Sequence, residues 1–275
     1  MLFLVVYGNG GGSMKLAAID LDGTLLNSKG HVTQENVHAL RTYRNKGGIV
    51  AIATGRSIIS LKDTLMSLEI MDYALTSNGA LIGKIGPFSQ VKKISLQMIE
   101  PSIVNKVLEF AKKMQVTIIA SRETHDVTFS FSNQYLELDT PYGQQFYLSD
   151  KKYTSIDTES YLKLALTDHN HEKLNVLQEL LTEVNISSVF SDKYFLEVTS
   201  KKVSKAESLK FLSHYLEINR SDIMAFGDQQ NDLEMLRYSG VAIAMDNAVP
   251  SVKKYADWIT KTNDESGVAF ILNSI

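Results

Sequence analysis

Leu16-Ala17-Ala18-Ile19-Asp20-Leu21-Asp22-Gly23-Thr24 is a short apolar run that ends in two carboxylates and a glycine. Such a run reads as a buried strand that delivers its acids to its own C-terminal end. In an open α/β sheet that edge is where ligands bind. Asp20 and Asp22 are two residues apart, so they leave the strand on the same side before Gly23 turns the chain. Two carboxylates this close repel each other unless a cation neutralises them or one holds a proton. A metal site and a nucleophile beside a general acid are both compatible with that pairing. A plain turn or a helix cap uses the same residues.

Working outward, apolar strands alternate with amphipathic helices, which implies a parallel sheet covered by helices on both faces. Thr33 caps a helix that ends at Gly47-Gly48. Ile49 to Ala53 is a second buried strand, stopping at Thr54-Gly55-Arg56, after which Ser57 caps a helix. Tyr73 to Thr76 is a third strand, ending at Ser77-Asn78-Gly79-Ala80. From about Gly83 the pattern changes to longer alternating strands, as in Val127 to Phe131, with one face solvated. Helices follow from the apolar spacing of Ile103 to Met114 and Leu174 to Val184. Near residue 190 the strand–helix rhythm resumes, with Ile223 to Phe226 leading into Gly227-Asp228 and Val241 to Ala244 forming a further strand. The expected fold is an α/β Rossmann-like parallel-sheet core, residues 14–82 and 191–275, with an α+β module at 83–190 inserted into it. Residues 1–13 contain Gly8-Asn9-Gly10-Gly11-Gly12-Ser13 and read as a flexible N-terminal extension or a remnant of an upstream sequence.

Composition narrows the function classes. Among 275 residues there is no cysteine, which removes disulfides, thiolate catalysis and Cys-ligated zinc. A net charge of −3 with scattered lysine pairs argues against nucleic acid as a partner. No stretch is apolar enough to span a bilayer, and the start lacks a signal peptide's basic region. A cytoplasmic protein is the expectation.

Four polar clusters fall at comparable places in this scheme. Asp20 and Asp22 end the first strand, Thr54 ends the second, Lys205 opens the helix after the insert, and Gly227 to Asp232 ends the later strand. In a parallel sheet all four gather at one edge. Several carboxylates with one lysine and hydroxyl donors suit Mg²⁺ bound to a phosphoryl group, because hard oxygen ligands match the ion and the lysine matches the phosphate charge.

In this order and spacing, Asp20-Leu21-Asp22-Gly23-Thr24, Thr54, Lys205 and Gly227-Asp228-Gln229-Gln230-Asn231-Asp232 resemble the four motifs of the haloacid dehalogenase (HAD) superfamily of phosphohydrolases. More narrowly the chain is similar to the Cof-type subfamily, with a type IIB α/β cap inserted after the second motif. Ser77-Asn78-Gly79-Ala80, Thr54-Gly55-Arg56 and Ser239 to Ala248 add to the resemblance. It implies that Asp20 is the nucleophile of an aspartyl-phosphate mechanism and Asp22 the general acid, then base. It implies that Thr54, Gly55 and Lys205 bind phosphate. Mg²⁺ would be held by the Asp20 carboxylate, the Asp22 backbone carbonyl and Asp228, with Asn231 and Asp232 in support. The implied activity is Mg²⁺-dependent hydrolysis of small phosphorylated metabolites, sugar phosphates or nucleotide-like phosphomonoesters. The implied cap closes over the catalytic edge. The third motif departs from the family's flanking glycines: it reads Lys202-Val203-Ser204-Lys205-Ala206.

Several residues have plainer readings. Arg56 is a substrate contact or a surface ion pair; Asn78 is a substrate contact or a structural turn residue. His125 and Asp126 pair in the insert, where a loop without function is the simpler reading. The aromatic residues Phe129, Phe131, Tyr135, Tyr142, Phe146 and Tyr147 read as core of the insert. Two rival functions use the same acids. A phosphotransferase or phosphomutase differs only in the acceptor. A phospho-acceptor switch would have little use for Asp22 and the large insert. The sequence leaves the oligomeric state open.

Overall fold

The structure, a computed structural model, describes residues 14–65, 68–131 and 160–275. The chain divides into two compact units, the first made of residues up to Ser95 and from Lys205 onward, the second of Leu96–Ser204.

In the first unit the chain runs through β1 (Leu16–Asp20), α1 (Gln34–Asn45), β2 (Ile49–Ala53), α2 (Ile58–Thr64), β3 (Tyr73–Thr76), β4 (Leu81–Ile85) and β5 (Val91–Leu96). The expected caps are present: Thr33 accepts from the Asn36 amide and Ser57 from the Ser60 amide, each satisfying a first-turn N–H of its helix.

The second unit holds α3 (Pro101–Met114), β6 (Thr117–Ser121), β7 (Asp126–Phe129), β8 (Lys163–Thr167), α4 (His171–Leu181), β9 (Ile186–Asp192) and β10 (Phe195–Ser200). Its sheet runs β7-β6-β8-β10-β9 and is antiparallel throughout. Alternate residues Ile118, Ala120, Leu164, Leu166, Leu196 and Val198 face α3 and α4, whose Val104, Val107, Leu108, Leu174 and Leu177 complete one core. Phe129 belongs to that core and meets the buried Tyr161 edge-on, 6.3 Å between centroids. Of the remaining aromatic residues expected there, Phe131 is half-buried against the same core, while Tyr135, Tyr142, Phe146 and Tyr147 lie outside the described residues.

The chain returns to the first unit with α5 (Lys205–Tyr215), β11 (Ile223–Gly227), α6 (Leu233–Tyr238), β12 (Val241–Ala244), α7 (Pro250–Lys253), β13 (Trp258–Ile259) and α8 (Gly267–Leu272). The first sheet has the order β13-β12-β11-β1-β2-β3-β4-β5. Its pairings from β13 across to β3 are parallel, and β3–β4 is antiparallel. β1 is central and wholly buried. Leu16, Ile19, Leu21, Leu25 and Leu26 around it are each 0% exposed. At about 1.5–3 kcal/mol for each buried aliphatic side chain, this packing offsets the cost of carrying acids and hydroxyls into the sheet's carboxyl edge.

The unit boundaries correct the sequence reading, which placed the insert at 83–190. β4 and β5 extend the first sheet, because β4 pairs with β3 from Tyr73↔Lys84 to Thr76↔Leu81. At the other end, β9 and β10 pair with each other and with β8, so residues 186–200 belong to the second sheet. Neither strand at the first junction, Leu81-Ile82-Gly83-Lys84-Ile85 or Val91-Lys92-Lys93-Ile94-Ser95-Leu96, alternates strictly, and nothing local says which sheet either one joins.

Candidate active site

Strand ends build the site. Asp20 is the last residue of β1, Thr54 follows β2, Asp228 follows β11, and Lys205 is the first residue of α5. Because β1, β2 and β11 are parallel neighbours in register, Asp20 beside Ala53 and Ile19 beside Phe226, their carboxyl ends lie together. Asp20, Thr54, Lys205, Asp228 and Asp232 are all buried, between 0% and 4% exposed.

Lys205 is the hub. Its Nζ donates to Asp20 Oδ1 at 2.6 Å and to Asp232 Oδ1 at 2.6 Å. Asp232 Oδ2 accepts the backbone N–H of Asp228 at 3.0 Å and of Gln229 at 3.1 Å. Asp232 is therefore fully engaged: one oxygen steadies the lysine and the other shapes the turn that carries Asp228. The Asp228 carboxylate accepts from Thr24 Oγ1 at 3.1 Å and Gln229 Nε2 at 3.3 Å. Two glycines make these approaches possible. Gly23 sits at φ +80°, and a Cβ there would collide with the Asp228 carboxylate. At Gly227 a Cβ would come within 2.5 Å of the Asp232 Cβ.

Three carboxylates around one lysine leave an excess of negative charge. Burial raises the Asp20 pKa well above the ordinary carboxylate range; Asp232 and Asp228 add to this, and Lys205 opposes it. Asp228 is pushed up to about 7, first by burial and then by Asp232. Burial works against the Lys205 cation, but Asp20 and Asp232 overcome it, so its pKa lies above the usual lysine value. The lysine's charge is secure, and the shortage of positive charge falls on the carboxylates. Oxygens of Asp20, Asp228 and Asp232 lie within 4.8 Å of one another. An all-oxygen set that lacks positive charge fits a hard divalent cation. With Asp232 committed to Lys205 and two amides, Asp20 and Asp228 are the carboxylates that suit the ion.

Asp22 is not in the acidic cluster: its two oxygens accept from Arg56 Nη2 at 2.6 Å and Nε at 2.9 Å. Arg56, named as a possible substrate contact, holds the neighbouring acid. Gly55 is half-buried in the turn between Thr54 and Arg56. That turn is fastened from β3's end, where the Asn78 N–H donates to the Thr54 carbonyl at 2.9 Å and the Ser77 N–H to the Arg56 carbonyl at 2.8 Å. Ser77, Asn78 and Gly79 all have positive φ, so these amides are aimed by a left-handed backbone. Asn78 thus serves the turn through its backbone. Asn231 is half-buried on the turn before α6, its Oδ1 buried without a protein partner. His125 lies in the second unit on the β6–β7 turn, exposed, with Nδ1 3.0 Å from Thr124 Oγ1. Lys202 is exposed and Ala206 half-buried; neither takes the positive φ that would demand the family's glycine.

Sequence reasoning gave Thr24, Gln229 and Asn247 no role. The Asn247 amide donates to the Gly23 carbonyl at 2.8 Å, and its Oδ1 accepts the Asn263 N–H at 3.1 Å. It ties the loop after β1 to the C-terminal part of the chain. Thr24 was visible inside the first motif and Asn247 inside the Ser239 to Ala248 stretch, but the 224 residues between Asn247 and Gly23 hid their contact.

A parallel α/β sheet whose carboxyl edge gathers buried acids, a buried lysine and a threonine hydroxyl is the arrangement of a site that handles phosphoryl groups. The profile of the haloacid dehalogenase-like hydrolases matches residues 17–272. The chain belongs to that family, among the Cof-type phosphohydrolases, and is a phosphatase. It is 28% identical to 5-amino-6-(5-phospho-D-ribitylamino)uracil phosphatase YcsE of Bacillus subtilis (strain 168), over 93% of each chain. With phosphatase YwpJ of the same organism it shares 32% identity, over 95% of this chain and 100% of that one. A solved haloacid dehalogenase-like hydrolase from B. subtilis superposes with a TM-score of 0.82 at 27% identity, covering 94% of this chain and 99% of that one.

Proposed function

We propose that this phosphatase hydrolyses small phosphorylated metabolites in the cytoplasm, with Mg²⁺, through an aspartyl-phosphate on Asp20. The observation that carries the proposal is the buried Asp20–Lys205 contact of 2.6 Å at the carboxyl edge of the sheet, with Asp228 and Thr54 at neighbouring strand ends. In the first step an Asp20 carboxylate oxygen attacks phosphorus. The bond from phosphorus to the leaving oxygen breaks, and Asp22 gives that oxygen a proton. In the second step water attacks the same phosphorus, Asp22 takes its proton, and inorganic phosphate leaves Asp20 as a free carboxylate. Thr54 Oγ1 and Lys205 Nζ bind the transferring oxygens, with Lys205 also orienting Asp20. The Asp20 and Asp228 carboxylates and the Asp22 carbonyl would hold Mg²⁺, which offsets the charge of an anionic nucleophile meeting an anionic phosphate.

Sugar phosphates and nucleotide-like phosphomonoesters are the substrate class. The relatives named for 5-amino-6-(5-phospho-D-ribitylamino)uracil support putting a ribityl phosphate at the head of the trial set. The test is release of inorganic phosphate from a panel of phosphorylated metabolites, with Mg²⁺ and with EDTA. Turnover that is selective and lost in EDTA is expected. Full activity in rigorously metal-free buffer would refute the metal-dependent reading, and transfer to an alcohol without phosphate release would refute hydrolysis.

A further inference from the structure

Asp22 and Arg56 form a contact that the proposed chemistry does not itself require. Both Asp22 oxygens are taken by one guanidinium, at 2.6 Å and 2.9 Å, in a half-buried setting with side-chain exposures of 24% and 12%. A two-point fork fixes the plane of a carboxylate as a single hydrogen bond cannot. The arginine is itself held. Its own N–H donates to Thr54 Oγ1 at 3.0 Å, and its carbonyl accepts the Ser77 N–H at 2.8 Å. A continuous line of contacts therefore runs from the left-handed turn at Ser77 and Asn78, through the phosphate-binding Thr54 loop, to the carboxylate of Asp22. Two consecutive non-glycine residues at positive φ, Ser77 at +50° and Asn78 at +58°, are an uncommon backbone choice. Here it aims two amides at the loop that carries Arg56.

We propose that Arg56 is a positioning residue for the reaction: its guanidinium sets the orientation of the Asp22 carboxylate, and the Ser77–Asn78 turn sets Arg56. The inference rests on the assignment of Asp22 as proton donor and acceptor. When Asp22 carries the proton, one of its oxygens gives up the guanidinium contact and the other keeps it, so Arg56 belongs to the proton-transfer apparatus rather than to substrate binding, and the Ser77-Asn78-Gly79 turn has a mechanical purpose. Lysine in place of Arg56 keeps a positive charge and loses the fork.

The test is a double-mutant cycle of Arg56→Ala and Asp22→Asn, with Arg56→Lys as a second variant that keeps the charge. It is read on the best sugar phosphate of the panel and on p-nitrophenyl phosphate. Arg56→Ala should lower kcat on the sugar phosphate by about 10- to 100-fold, the scale of a misplaced proton-transfer group, with KM changed less than about threefold. Arg56→Lys should fall between Arg56→Ala and the natural protein. In single-turnover phosphorylation, the loss on p-nitrophenyl phosphate should be smaller, because its leaving group departs without a proton. A purely structural role would lower both substrates alike. In the Asp22→Asn background, Arg56→Ala should change kcat by less than about twofold, since the group it positions is gone. The inference is overturned if KM rises with kcat unchanged, which makes Arg56 a substrate contact, or if its loss persists in full beside Asp22→Asn. If the natural protein hydrolyses no phosphomonoester, the phosphatase mechanism itself fails and the inference with it. An active natural protein with an additive cycle sinks the inference alone.

Discussion

Replacing Lys205 by methionine removes a buried cation lying 2.6 Å from each of two buried carboxylates, while nearly preserving side-chain length. Two charge-assisted hydrogen bonds disappear, each worth about 1.5–3 kcal/mol, which gives a gross loss of roughly 3–6 kcal/mol. Breaking a buried ion pair by deleting one partner costs about 3–5 kcal/mol, the same range. Two effects pull the net loss down. The methionine stem is cheaper to bury than a lysine, and Asp20 can take up a proton once its counter-charge is gone. The lower end, about 3 kcal/mol, is the expected destabilisation in metal-free buffer. For a domain of this size each kcal/mol moves Tm by about 2–4 °C, so Tm should fall by roughly 6–12 °C. The assay is thermal and urea unfolding of both proteins in EDTA, followed by circular dichroism. Repeating the melts with Mg²⁺ should recover part of the loss, because a bound divalent ion replaces the missing charge; at a hundredfold excess over its Kd a ligand adds about 2.7 kcal/mol. Destabilisation below about 1 kcal/mol in EDTA would refute the reasoning, since the carboxylates would then be neutralised by protons and not by Lys205.

Other substitutions probe neighbouring links of the argument. Asp20→Asn should abolish turnover without unfolding the protein, because an amide neither attacks phosphorus nor binds Mg²⁺ comparably; normal hydrolysis by a folded sample would remove Asp20 as the nucleophile. Gly23→Ala should destabilise by at least about 1–2 kcal/mol from its left-handed backbone alone, and should weaken Mg²⁺ activation because the new methyl displaces Asp228; unchanged activation would show that Asp228 has room to move. Asp228 carries a proton up to about pH 7 in the metal-free protein, against an ordinary carboxylate value when unfolded. Its contribution to folding is thus lost as pH rises from the carboxylate range toward 7, and Mg²⁺ competes with that proton. The rise in Tm that saturating Mg²⁺ gives should be larger at about pH 8 than at about pH 5.5; an equal rise at both would mean that Asp228 takes no part in holding the ion.

Some of this protein was determined locally. Asp20, Thr54 and Asp228 each end an apolar run, and strand ends in a parallel sheet meet at one edge whatever else the chain does. Thr33 and Ser57 cap their helices because capping depends on the next three residues only. The tertiary structure decided the rest, and in each case over a long separation. It assigned β4 and β5 to the first sheet and β9 and β10 to the second, because a strand's own residues do not name its partner. It gave the supporting residue Asp232 a specific partner, Lys205, 27 residues away. It brought Arg56 to Asp22 across 34 positions and Asn247 to Gly23 across 224. A side chain's chemical type is written in the sequence, but the group it satisfies is set by which strand ends and turns the folded sheet makes neighbours.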